Sequence, residues 1–158
     1  APLDWLQHHL WILSGLYGCV RPFHAVEPYR LEMGAKLAVD DARDLYAFWS
    51  DKLARAIAPA GSNTTIVNLA SVEYAKAVLP HLAGDATVVT CFFGEGIRNG
   101  KPIQRSTASK KARGSMVRWM AENKLEDASE LTAFNIGYRH VPELSDKNTL
   151  VFMNAQAL

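Results

Sequence analysis

The chain has 158 residues, a formal net charge of +1, 49% hydrophobic residues and 21% charged residues. That balance suits one globular domain with its own core and excludes a disordered, fibrous or repeat-built chain. Its apolar runs are short and interrupted, well below the roughly 20 apolar residues that a membrane-spanning helix needs.

In chain order, residues 4–13 read as a helix capped at Asp4, with Leu6, Leu10 and Leu13 on one side and Gly15 and Gly18 at its end or in a tight bend. The run LSGLYGCVRPFHAVEPYRLEMG, residues 13–34, has neither a helical nor a strand period, yet concentrates glycine, proline, tyrosine, arginine and glutamate. Its first six residues resemble the apolar-Gly-apolar-x-Gly turn of helix-hairpin-helix modules, whose exposed amides grip a DNA phosphate, although Pro22 interrupts any second helix close behind. Residues 40–58 carry Leu45, Phe48, Trp49, Leu53, Ala56 and Ile57 at three- and four-residue steps, which predicts an amphipathic helix stopped by Pro59 and Gly61. Residues 64–69 are β-branched and predict a buried strand, and Ser71 reads as the N-cap of a helix running to about residue 79.

A second strand is expected over 86–93, and Asn99-Gly100 is a hairpin signal that returns the chain along 101–105. Residues 106–123 predict a long helix with Ala112, Met116, Trp119 and Met120 inward; 127–134 a short helix; and 149–153 a closing strand. Helices, strands and a hairpin mixed along one chain predict an α/β (α+β) fold, a single domain over 1–158 with a mixed sheet flanked by helices.

Charge is unevenly placed. Between Glu95 and Glu122 there is no acidic residue, while the span holds Arg98, Lys101, Arg105, Lys110, Lys111, Arg113 and Arg118, a distribution that attracts phosphate even in a nearly neutral chain. In Ser109-Lys110-Lys111-Ala112-Arg113 the cations crowd the start of the predicted helix, where its dipole disfavours them; the two readings are a solvated face and an external anion. In Pro28-Tyr29-Arg30-Leu31-Glu32, alternation along an extended segment places Arg30 and Glu32 together, as a surface ion pair or as an arginine held to grip a phosphate or carboxylate. Asn68-Leu69-Ala70-Ser71-Val72-Glu73-Tyr74-Ala75-Lys76 lies where a strand passes into a helix, either an anion site or a plain serine cap.

Cys19 and Cys91 are far apart in apolar surroundings, and the opening Ala1-Pro2-Leu3-Asp4 has no signal-peptide character, so the expected location is cytoplasmic. The spacings of His8, His9, His24, His81 and His140 match no zinc site, and no metal or cofactor is expected.

Four segments together, SGLYG (14–18) with Arg21-Pro22 and PYRLEMG (28–34), then LYAFWSDKL (45–53), then residues 67–78, then KKARGSMVRW (110–119), are similar to the YaaA family, also called DUF328 or the peroxide stress resistance family. The resemblance runs from about residue 6 to residue 152. It implies an α/β domain of unusual topology with a cationic cleft, in a cytoplasmic protein that binds double-stranded DNA, limits oxidative damage and is associated with intracellular iron control. On that reading Arg21, Arg30, Lys110, Lys111, Arg113 and Arg118 line the cationic surface and Gly15 and Gly18 shape the adjoining turn. The resemblance covers the family's C-terminal two-thirds, so the chain is expected to be shortened at its amino end, and Thr107-Ala108-Ser109 replaces a more aromatic stretch. The partner is therefore expected to be double-stranded DNA or another phosphate-bearing ligand. The alternative is an enzyme acting on a small anionic or nucleobase-like substrate, with Tyr29, Arg30, Glu32, Asn68, Ser71, Glu73, Tyr74 and Lys76 in a polar pocket.

Overall fold

A computed structural model describes all 158 residues. The elements are α1 (Pro2–His9), β1 (Ile12–Ser14), β2 (Gly18–Val20), α2 (Leu45–Trp49), α3 (Lys52–Ile57), β3 (Thr65–Asn68), α4 (Val72–Ala75), β4 (Thr87–Gly94), β5 (Gly96–Arg98), β6 (Lys101–Ile103), α5 (Ser106–Glu122), β7 (Tyr138–His140) and β8 (Thr149–Asn154). The expected mixed α/β class is what the chain adopts. By internal packing it divides into a sheet unit (Ala1–Leu3, Thr65–Leu69, Val88–Leu158) and a hairpin unit (Asp4–Thr64, Ala70–Thr87).

The sheet unit is built on the order β3-β4-β8-β7. β4 and β8 run parallel, with Phe93 opposite Phe152, and β7 is antiparallel to β8, with His140 opposite Phe152. Alternation in β4 buries Val89, Cys91 and Phe93 on one face. Phe93 stacks on Phe152 at 5.5 Å, Phe134 meets both rings edge-on, and Trp119 of α5 packs edge-on against Phe134 at 5.6 Å. The helix reaches this layer through Ala112 and Met116, both buried, as its apolar spacing predicts. The expected hairpin is β5–β6, and it forms a separate two-stranded sheet. The short helix expected over 127–134 is present as a 3-10 helix, Ala128–Ala133, capped by Asp127, whose carboxylate accepts the Ser129 amide.

The hairpin unit departs further from expectation. The first helix ends at His9, and Ile12–Ser14 instead pairs antiparallel with Gly18–Val20. Leu6, Leu10 and Leu13 imitate a helical stripe, but the ladder offered by a partner strand four residues away outweighs it for the bulky Trp11-Ile12-Leu13. Strands, not helices, therefore flank Gly15 and Gly18. The helix expected over 40–58 is broken in two at Ser50, which has φ 49°; Asp44 caps the first half through its side chain to the Ala47 amide. After Ser71, α4 lasts only four residues, and the Ser71 hydroxyl makes no capping bond. Met33, Leu45, Leu53, Ala54, Ala77 and Val78 form the core of this unit, so the unusual run 13–34 supplies a buried anchor as well as a loop.

Burial of Cys91 on β4 pushes its thiol up to about 12. The folded protein then holds that proton more tightly than the unfolded chain does, so unfolding releases it above the ordinary thiol pKa of 9.0. This contribution to stability is complete below about pH 9 and is lost as the pH rises toward 12. We expect melts from pH 8 to 11 to show a decline that is shallower in Cys91→Ala, and equal slopes in both proteins would contradict the assignment.

Candidate functional site

In α5, Lys110 and Arg113 share a face at three-residue spacing, with Lys111 beside them. Lys110 and Lys111 are exposed and Arg113 is half-buried, its guanidinium pKa lowered by that burial. None of the three forms an ion pair with a carboxylate of the chain. Arg118 differs: its Nε donates to Glu122 Oε1 at 2.7 Å, an ordinary i,i+4 pair. The first turn of α5, Ser106–Ser109, carries no acidic side chain and no side chain caps its start, and the cations follow from Lys110 in the next turn.

Arg21 and Arg30 belong to the hairpin unit. The Arg21 guanidinium lies 3.8 Å above the Trp11 ring, and its Nη1 donates to the Leu10 carbonyl at 3.2 Å, which clamps the two ends of the β-hairpin. Arg30 is exposed. Gly15 and Gly18 are required by packing. A Cβ at Gly15 would stand 2.8 Å from the Leu31 carbonyl oxygen, and Gly18 has φ +79° beneath Trp49 and Leu53. Gly15→Ala is therefore expected to cost about 1–3 kcal/mol, because a backbone oxygen has no rotamer with which to yield. Urea melts read the loss, and unchanged stability would mean the loop 28–34 does not rest on the hairpin.

The same loop carries a polar cluster. The Tyr29 hydroxyl is hydrogen-bonded to Ser14 Oγ, which also accepts the Tyr17 amide at 2.9 Å. The Tyr17 ring meets Tyr29 edge-on at 5.8 Å, and its hydroxyl accepts the Glu27 amide at 2.9 Å. Glu73 Oε2 accepts the Gly34 amide at 3.1 Å, the Tyr46 hydroxyl donates to the Glu73 carbonyl at 2.8 Å, and Lys76 Nζ lies 5.0 Å from the centre of the Tyr46 ring. The Tyr74 hydroxyl is pushed up, first by burial and then by the negative fields of Glu73, Tyr29 and Glu32, against the lowering effect of the Met33 backbone. Of the residues expected in a polar pocket, Tyr29, Glu32, Glu73 and Tyr74 thus share one locality, Lys76 lies beside it on Tyr46, and Ser71 and Arg30 stand in the same unit. Asn68 belongs to the sheet unit, where its Nδ2 donates to Thr90 Oγ1 at 3.2 Å.

Sequence reasoning missed Ser14 and Tyr17, whose signal was the SGLYG segment itself. It also missed a network at the carboxyl ends of the parallel pair. Glu95 Oε2 accepts the Tyr138 hydroxyl at 2.8 Å and Oε1 accepts Asn154 Nδ2 at 3.0 Å, and burial with this carboxylate pushes Tyr138 up to about 12. These residues are 43 and 59 positions apart in sequence, and no local pattern joins them.

The fold and these clusters define a mixed α/β protein with an uncompensated cationic helix and a tyrosine-rich signature loop. Residues 1–144 match the family described as peroxide stress protein YaaA. Relatives include UPF0246 proteins of Desulfitobacterium hafniense, 46% identical over 155 residues (98% of this chain, 61% of that protein), and of Pediococcus pentosaceus, 45% over 152 residues (96% and 59%). A third, from Lactiplantibacillus plantarum, is 43% identical over 152 residues (96% and 60%). The chain belongs to the peroxide stress protein YaaA family, and it spans about three-fifths of the length of the curated relatives it matches.

Proposed function

We propose that this chain is a cytoplasmic DNA-binding protein of peroxide stress resistance, linked to intracellular iron control, that grips the phosphates of duplex DNA with a cationic surface centred on α5. The observation that carries this reading is the contrast within one helix: Arg118 has its carboxylate, whereas Lys110, Lys111 and Arg113 have none. Lys110 and Lys111 are exposed and Arg113 is half-buried, and three neighbouring cations with no carboxylate between them repel one another, a repulsion that an external polyanion relieves. Gly15, Gly18, Arg21 and Arg30 belong to the proposed DNA-binding set as well. The thiols give no support to direct peroxide chemistry. Burial raises Cys19, with Arg21 partly opposing it, and raises Cys91 to about 12, so neither is poised as a thiolate at neutral pH. Fluorescence anisotropy of a labelled duplex titrated with the chain is the test; binding at low salt is expected, and none at any salt would sink the reading.

A second reading, an enzyme on a small anionic or nucleobase-like substrate, is favoured by the convergence of Tyr29, Glu32, Glu73 and Tyr74. It predicts that a nucleoside or small phosphate ester raises the melting temperature, and that Glu32→Gln removes the shift. A native protein indifferent to such compounds would exclude it.

A further inference from the structure

The β5–β6 hairpin plays no part in the site described so far. It is a ribbon of its own, unpaired with the four-stranded sheet, and its ladder sets Gly96 against Ile103, Ile97 against Pro102 and Arg98 against Lys101. Its turn residues Asn99 and Gly100 both have positive φ, 53° and 74°, as a tight two-residue hairpin turn requires. Arg98 and Lys101 are therefore fixed directly opposite each other on one face, and both are exposed. Like charges at opposed positions destabilise a ladder, and no carboxylate of the chain forms an ion pair with either. On the other face Ile97 is 54% exposed. Water hydrates and screens the two cations at the tip of the ribbon, but it gives them no counter-charge and leaves the apolar side chain uncovered. The ribbon gains much from a polyanion with a groove.

Dimensions select the groove. Two strands lie roughly 4.8 Å apart, and three residues per strand plus the turn project roughly 10 Å. The major groove of B-form DNA, about 12 Å wide and about 8.5 Å deep, admits such a ribbon, whereas the minor groove is only about 6 Å wide. After β6 the chain enters α5 within three residues, so ribbon and cationic helix follow one another in one unit.

We infer that the β5–β6 ribbon inserts into the major groove of double-stranded DNA, with Arg98 and Lys101 on phosphates and base edges at its tip and Ile97 against the groove wall. The inference rests on the proposed DNA-binding function and adds the element that enters and the groove that receives it.

The test uses the full chain and three labelled duplexes of one sequence: unmodified DNA, DNA whose cytosines carry a bulky glucosylated group at C5, and RNA. The C5 group fills the major groove and leaves phosphates and minor groove unchanged. We expect the modified duplex to bind about tenfold more weakly than the plain one, as loss of one good groove contact implies. Duplex RNA, whose major groove is too deep and narrow for a ribbon, is also expected to bind more weakly. The double variant Arg98→Gln/Lys101→Gln, confirmed folded by its melting temperature, should bind plain DNA about tenfold more weakly and ignore the C5 group. Equal binding to plain and modified DNA, equal binding to RNA, or native affinity in the double variant overturns the ribbon. If those results accompany DNA binding that is lost on mutating α5, the proposed function survives without the ribbon. If the native chain binds no duplex at all, both fall.

Discussion

Changing Lys110, Lys111 and Arg113 together to glutamate is expected to abolish duplex DNA binding while leaving the protein folded. The three have no internal carboxylate to lose, so the melting temperature should fall only by what the half-buried Arg113 stem contributes, with the protein still folded. Three phosphate contacts correspond to a slope of about −2.7 in log affinity against log salt, or about a 40-fold loss between 50 and 200 mM. Removing them removes that slope, and reversing the charges adds repulsion. The matched comparison is Arg118→Glu against Lys110→Glu: the Arg118 guanidinium is already held by Glu122 at 2.7 Å, so its reversal should weaken binding less than the same charge change at Lys110. Equal effects from the two variants would mean that general charge, and not this set, governs binding.

The second large effect is on stability. Phe93 is fully buried, stacks on Phe152 at 5.5 Å, and meets Phe134 and Tyr138 edge-on. Phe93→Ala opens a cavity between β4, β8 and the residues that α5 presses down, at a cost of about 3–5 kcal/mol. That is a large part of the roughly 5–15 kcal/mol that holds a domain of this size together. The urea midpoint should fall sharply with the slope of the transition retained, while Phe23→Ala, at a site 60% exposed, should stay within about 0.5 kcal/mol. A small loss at Phe93 would contradict the description of this aromatic layer as the core of the sheet unit.

What was legible in the sequence follows from how local each signal is. The helix of α5 could be read because Ala112 and Met116 repeat at helical spacing and no proline intervenes before Asn123, the single Gly114 being tolerated within a long run. The β5–β6 hairpin could be read from two turn residues that tolerate positive φ. The first hairpin could not, because leucines at 6, 10 and 13 satisfy a helical period and only a partner strand, absent from a one-dimensional pattern, reverses the choice. Ser50 likewise breaks a well-spaced apolar run without any glycine or proline to announce it.

The candidate site divides in the same way. KKARG is contiguous, so its charge is visible in the sequence, though the pairing that separates Arg118 from its neighbours is visible only in three dimensions. Tyr29 and Glu32 stand out as polar residues in a run without a period and Glu73 and Tyr74 at a strand-to-helix junction, whereas the contact of the Gly34 amide with the Glu73 carboxylate, 39 residues away, is visible only in three dimensions. Arg21, placed with the cations by the family resemblance, holds the Trp11 ring and the Leu10 carbonyl, a contact that no spacing rule announces.

The salt dependence of duplex affinity in the native chain decides whether α5 holds phosphate. Anisotropy titrations between 50 and 200 mM salt should give a straight line with a slope of about −2.7 or steeper, and the triple glutamate variant should show no measurable binding across the range. A flat dependence, or a native slope retained in the variant, would contradict the assignment of phosphate binding to α5.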